Sequence, residues 1–168
     1  MKIINKLDLL DQKISQKIFP SKVSDFGVMF VKLISDSLMF FYLPLTIFVL
    51  YLKTCFYHTL TVLSVLGLLW ITSKYIIKPL INRKRPDTKG HAYLVIKVQY
   101  SMPSTHTIGA TMLGIICSLC CPEYTLVFIV YSLIIAFSRL YFRVHFLGDI
   151  LAGILIALLT LPLFSILI

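Results

Sequence analysis

Apolar positions along the chain fall into two patterns. In residues 1–19, Ile3, Leu7, Leu10, Ile14 and Ile18 recur at helical spacing, with Lys6, Asp8, Asp11, Lys13 and Lys17 between them. This predicts an amphipathic helix lying in a membrane interface and ended by Pro20. The same charges exclude a secretory signal peptide, whose core is uninterrupted. A second short amphipathic segment is expected over Ser24 to Ile34, where Asp25 and Lys32 argue against a span. After it the pattern becomes continuous, in five apolar segments: about Ser37–Leu52, Thr59–Ile77, Thr107–Cys121, Tyr124–Tyr141 and Leu147–Ile168. A helix needs about 20 apolar residues to cross a bilayer; the first and third segments are short, but each can extend into its amphipathic flanks. All connections among the five are very short except one, the polar stretch from Asn82 to Met102. The expected architecture is an all-α polytopic membrane helix bundle with about five transmembrane helices, six being possible, and an N-terminal interfacial amphipathic helix. It forms one domain over 1–168, divided into interfacial segments (1–36) and a transmembrane core (37–168).

Composition agrees with that pattern. Of the 168 residues, 58% are hydrophobic and only 14% charged, against about 25% charged in soluble domains, and the mean hydropathy is +0.91. Disorder, a coiled coil and a secreted disulfide scaffold are excluded. Sixteen Lys and Arg against seven Asp and Glu give a net charge of +9. That charge is not spread over a water-exposed domain, so no nucleic-acid partner is expected. The partners implied are the bilayer and an anionic lipid; the sequence assigns no oligomeric state. Cys117, Cys120 and Cys121 sit in an apolar run and Cys55 stands apart, which reads as small buried hydrophobes rather than metal ligands.

With five crossings, the N-terminus, the loop after the second span and the turn after the fourth emerge on one face. The other face holds only Lys53, His58, Glu123 and the C-terminus. Three polar clusters gather on the first face: Lys78 to Pro86, Pro103 to His106, and Ser138 to Asp149. Each has an ordinary explanation. Basic residues at span ends snorkel to headgroups, a serine after a loop caps a helix, and an interfacial histidine is common. The third cluster is harder to explain away, because a carboxylate such as Asp149 inside an apolar hairpin requires a partner, and His145 lies one helical turn before it. Together the clusters supply a phosphoryl-transfer site. Lys78, Arg85 and Arg139 surround an anion, while Ser104 and the first amides of the third span, from Thr105 on, offer a helix N-terminus to phosphate. Two histidines supply a nucleophile and a proton donor, with Asp149 to orient one imidazole. Near this site the sequence offers only Asp87 and Asp149 as carboxylates, too few for a two-metal hydrolase. No metal and no cofactor is expected.

The spacings Lys78-x6-Arg85-Pro86, Pro103-Ser104-x-His106 and Ser138-Arg139-x5-His145-x3-Asp149 resemble the tripartite signature of the type 2 phosphatidic acid phosphatase superfamily, lipid phosphatases related to vanadium haloperoxidases. The resemblance implies that His145 is a nucleophile forming a phosphohistidine, that Asp149 orients it, and that His106 protonates the leaving oxygen and later activates water. It implies that Lys78, Arg85, Ser104 and Arg139 bind the phosphoryl oxygens. Thr105 stands where the family pattern has glycine; its amide still serves phosphate, but a side chain would strain any position needing φ > 0. Its expected effect is on pocket shape.

The implied function is an integral membrane lipid phosphatase acting on undecaprenyl diphosphate, phosphatidylglycerol phosphate, phosphatidic acid or the phosphates of lipid A. Tyr93, Leu94, Val95, Ile96 and Tyr100 form an apolar patch that would border a lipid entrance. The alternative is a non-catalytic anionic-lipid-binding membrane protein on the same scaffold, which would have no need to keep Lys78, Arg85, His106, Arg139, His145 and Asp149 together. The positive-inside rule favours a cytoplasmic active face, whereas the resemblance implies the extracytoplasmic face of the bacterial cytoplasmic (inner) membrane, and the latter is the expectation adopted.

Overall fold

The computed structural model describes residues 2–19, 25–53, 56–86 and 100–162. Asp87 and the patch residues Tyr93, Leu94, Val95 and Ile96 lie outside them, as do Pro20, Ser24, Cys55 and the end of the fifth apolar segment. The described residues are helical, apart from turns and an isolated bridge between Lys84 and Tyr100. Helix α1 spans Lys2–Ile18. Helix α2 (Asp25–Ser37) passes through a π-helical turn, Leu38–Tyr42, into α3 (Leu43–Lys53), and the residues flanking the turn keep right-handed helical angles. Helix α4 (Phe56–Thr72) passes in the same way through Ser73–Ile77 into α5 (Lys78–Ile81). Both π turns end two residues before a proline, Pro44 or Pro79. Proline has no N–H for the i−4 carbonyl and its ring crowds that carbonyl; widening the turn ahead of it relieves the conflict.

The amphipathic segment expected at Ser24–Ile34 is therefore not a separate element. No glycine or proline lies between Ile34 and the apolar run, so nothing stops the helix there, and the described part is the first stretch of a rod that continues to Lys53.

Helix α6 (Thr105–Cys120) is central, with α3, α4, α7 (Thr125–Tyr141) and α8 (Leu147–Leu159) packed about it. Ile108, Met112 and Ile116 meet Leu50, Val62 and Ala157, while Ala110, Leu113 and Cys117 meet Leu38, Tyr42 and Ile135. Cys117 is a free, fully buried thiol 3.3 Å from Thr46 Oγ1, the small-hydrophobe role. A short 3₁₀ turn, Pro122–Tyr124, joins α6 to α7.

The outer surface is apolar: Leu80, Phe41, Leu126 and Leu159 are each at least 70% exposed, an arrangement water would not tolerate over whole helix faces. Thr59–Ile81 and Pro122–Tyr141 are long and apolar enough to cross a membrane, and Phe40–Lys53, Thr105–Cys120 and Leu147–Leu159 are shorter apolar helices.

 Helix α1 turns this pattern around. Its apolar residues Leu7, Leu10, Ile14 and Ile18 are exposed, and the stripe that meets the rest of the protein is Asp8, Asp11, Gln12, Ser15 and Phe19. That polar stripe docks on α8.

Candidate active site

The three polar clusters lie at the end of α5, the start of α6 and the turn between α7 and α8. Helix α5 stops at Asn82, which takes the left-handed conformation (φ 52°) that asparagine tolerates better than most residues. Just before it, Lys78 is buried and donates from Nζ to the carbonyls of Ser101 (3.0 Å) and Tyr100 (3.3 Å). Ser101 returns the contact by donating its amide to the Arg83 carbonyl at 2.8 Å. The two ends of the long connection are thus held side by side, which brings the first cluster against the second.

Helix α6 begins earlier than the apolar pattern indicates because Ser104 caps it. Its Oγ accepts from the Thr107 hydroxyl (2.9 Å) and the Thr107 amide (3.4 Å). The hydroxyl proton of Ser104 remains available for an anion. The Ser104 amide donates to the Asp149 carbonyl at 3.0 Å, tying the second cluster to the third. A Cβ at Gly153 would stand 3.0 Å from the Ser104 carbonyl, so glycine there lets α8 approach the start of α6. Thr105 opens the helix in an ordinary conformation: among the described non-glycine residues only Asn82 and Arg143 have positive φ. The strain anticipated for a side chain at this position is therefore absent.

Helix α7 ends in a Schellman turn. Val144 donates its amide to the Arg139 carbonyl (3.2 Å) and Arg143 to that of Leu140 (2.8 Å), with Arg143 at φ 53°. A non-glycine residue in this conformation costs about 1–2 kcal/mol, and the turn it makes delivers His145 to the cluster. His145 Nδ1 lies 3.3 Å from Asp149 Oδ2, and Nε2 lies 3.3 Å from Arg85 Nη1, which also donates to the Val144 carbonyl at 2.8 Å. A guanidinium only donates, so Nε2 is the acceptor and Nδ1 carries the proton toward Asp149. Burial pushes His145 down to about 4; the Asp149 hydrogen bond opposes that shift and the Arg85 charge adds to it. At neutral pH the imidazole is uncharged, with its Nε2 lone pair directed at the cationic side of the site.

Arg139 is 5% exposed and donates from Nε to Ser138 Oγ at 3.0 Å, while its buried Nη2 has no hydrogen-bond partner among the described residues. A buried donor left open in this way is suited to an anion. His106 lies within the electrostatic reach of Arg139, His145, Lys78 and Arg85. With Thr105 it forms part of the wall of an apolar groove of about 430 Å³, between Leu38, Leu63, Trp70 and Met112. Arg85 borders a second cavity, of about 990 Å³, shared with Asp8, Asp11, Arg83 and Arg143.

Residues 15–168 match the PAP2 superfamily. The chain belongs to that superfamily. The crystal structure described as the first transmembrane PAP2 type phosphatidylglycerolphosphate phosphatase, from Bacillus subtilis, has the same fold, with a TM-score of 0.74. It is 23% identical, and the match covers 96% of this chain and 85% of that one. None of the curated proteins matches.

Of the residues singled out from the PAP2-like motifs, His145, Asp149 and Arg85 are in direct contact, and Ser104 reaches Asp149 through the backbone. Lys78, His106 and Arg139 stand around them, and Thr105 lines the groove together with His106. The structure also adds residues that the motifs did not indicate. Arg83 donates to Asp149 Oδ1 at 2.7 Å and pairs with Asp8 (2.7 Å) and Asp11 (2.6 Å). Burial disfavours its charge, but Asp149 and Asp11 outweigh that and its pKa is raised. The expectation that only Asp87 and Asp149 bring carboxylates near the site is therefore corrected, since α1 folds Asp8 and Asp11 back onto it. The only signal in the sequence is weak: Asp8, Asp11 and Ser15 lie along one side of the helix, next to its apolar stripe.

Proposed function

We propose that the protein is an integral membrane lipid phosphatase, working through a phosphohistidine on His145. The observation that carries this reading is the His145 imidazole, held by Asp149 at Nδ1 and presenting Nε2 beside Arg85. In-line attack by Nε2 on phosphorus forms the N–P bond as the P–O bond to the lipid breaks. Arg85, Lys78, Arg139, the Ser104 hydroxyl and the Thr105 amide neutralise the developing charge. His106 delivers a proton to the departing oxygen, then takes one from the water that hydrolyses the phosphohistidine. No metal takes part in this scheme. Asp149, Asp11 and Asp8 are each engaged by Arg83, and Asp149 by His145 as well, so the nearby carboxylates already have cationic partners.

The groove beside Thr105 and His106 offers an apolar chain a place next to the reaction centre, which supports a lipid substrate. Because the fold neighbour acts on phosphatidylglycerolphosphate, that lipid is the first candidate, ahead of phosphatidic acid, undecaprenyl diphosphate and lipid A phosphates. We read the chain as one domain with five crossings, α1 resting in the interface on its exposed apolar face. The active end is assigned to the extracytoplasmic side of the cytoplasmic membrane, since many of its cations serve the site and do not report topology.

The test is phosphate release from a panel of these four lipid classes by the purified protein in detergent. At least one should be hydrolysed, with His145→Ala lowering kcat by ~10³-fold or more while remaining folded. A folded His145→Ala protein that keeps more than a few per cent of the wild-type rate would overturn the assignment.

A further inference from the structure

Helix α8 has only half a cap of its own: Asp149 Oδ2 accepts from the Phe146 amide at 2.9 Å. The residue at its N-cap position is Phe146, whose side chain accepts no hydrogen bond, yet the first amides of a helix need acceptors. They find them on α1. Leu147 donates its amide to Ser15 Oγ at 2.8 Å, and Gly148 donates to Asp11 Oδ1 at 2.9 Å. The approach is so close that a Cβ on Gly148 would lie 2.5 Å from Asp11 Oδ2. The other Asp11 oxygen binds Arg83, and Arg83 in turn binds the oxygen of Asp149 that does not face His145. Arg83 also lies over the Phe146 ring, 4.5 Å from its centroid.

We propose that α1 is part of the reaction centre: Ser15 and Asp11 cap α8 from another helix, and Arg83 links Asp11 to Asp149, so that α1 positions the carboxylate that orients His145. Asp11, Ser15 and Arg83 are positioning residues; none of them contacts the imidazole. This rests on the reading of His145 as the nucleophile only for its effect on rate. The geometric claim stands apart from it.

The charged groups around the pair come from every neighbouring element. They are Asp8 and Asp11 from α1, Asp36 from α2, which faces Arg139, Lys78 from α5, Arg83 and Arg85 from the loop, His106 from α6, Arg139 from α7 and Arg143 from the turn after it. Among them, Arg83 offsets the Asp149 charge from behind. Without it the carboxylate acts on His145 undiminished and favours the imidazolium, so the His145 titration moves to higher pH. Removing the Asp11 charge leaves Arg83 less divided and moves it to lower pH. A strap with only a structural role, once loosened, would have no reason to give opposite signs.

The experiment is a histidine-ring NMR titration of the full chain in detergent, with the His145 signal assigned by its loss in His145→Ala, for wild type, Arg83→Gln and Asp11→Asn. Asparagine keeps an oxygen for the Gly148 amide while losing the charge. We expect an upward shift of about half a pH unit or more in Arg83→Gln and a downward one in Asp11→Asn. Arg83→Lys should return the titration toward wild type, and it serves in place of Arg83→Gln if that variant does not fold, with a smaller upward shift expected. Unchanged titrations, or shifts of the same sign, would overturn the proposal. Turnover adds a separate arm: Arg83→Gln should lower kcat about tenfold or more with KM little changed, whereas a raised KM at constant kcat would make Arg83 a phosphate ligand instead. If wild type hydrolyses no lipid phosphate, the functional reading fails while the titrations still decide the role of α1.

Discussion

Thr105 is the residue at which this chain departs from the motif, and its surroundings say what the departure does. Its backbone is ordinary, and it lines the apolar groove beside His106. The amide remains available to phosphate, so the change falls on the space offered to the lipid. Thr105→Gly should raise the kcat/KM of a bulky lipid phosphate relative to a small one by about 5–10-fold, the scale set by small changes in an apolar pocket. It should also cost about 0.5–1 kcal/mol of helix stability, so melting is measured beside selectivity. An unchanged selectivity ratio would reject the pocket role. The proximity of His145, Asp149 and Arg85 was legible from sequence, because fixed short spacings and three ordered motifs placed them together. Arg83 was not. It sits inside the first motif as one more cation, and its carboxylate partners are 66 residues or more away along the chain.

At the scale of elements, hydrophobic periodicity marked residues 2–18 as helical but gave little indication that the polar side of α1 docks. Ser15 and Asp11 look like ordinary polar positions of an interfacial helix, and their partners at Leu147 and Gly148 are 132 and 137 residues distant. The second amphipathic segment runs on into the first span, as the shortness of that span allows, with a π turn ahead of Pro44 between them. The fit of α1 on α8 can be measured through Gly148. Gly148→Ala pushes a methyl group against the Asp11 carboxylate and should destabilise the protein by about 1–3 kcal/mol, the usual range for overpacking. In an Asp11→Ala background the clash is gone, so the same substitution should cost at least ~0.5 kcal/mol less. Equal losses in both backgrounds would mean that the two residues do not meet.

For the whole molecule, the ordering of apolar helices does the placing. Short connections bring the end of α5, the start of α6 and the α7–α8 turn to one end of the bundle, and the backbone bond from Ser104 to Asp149 locks two of them together. The helical membrane architecture was legible because lipid imposes long uncharged runs. The closure of the site by α1 depends on long-range polar contacts that no local pattern encodes. The proposed reaction centre has a neutral imidazole backed by a carboxylate and faced by cations, an arrangement suited to covalent transfer without a metal. The most direct test is to quench the protein in base during turnover of a ³²P-labelled lipid phosphate, with a chelator present, and map the label. The account predicts an acid-labile, base-stable phosphohistidine at His145 that persists with the chelator and is missing in His145→Ala. A label on another residue, or turnover that stops with the chelator and returns when Mg²⁺ is added back, would contradict it.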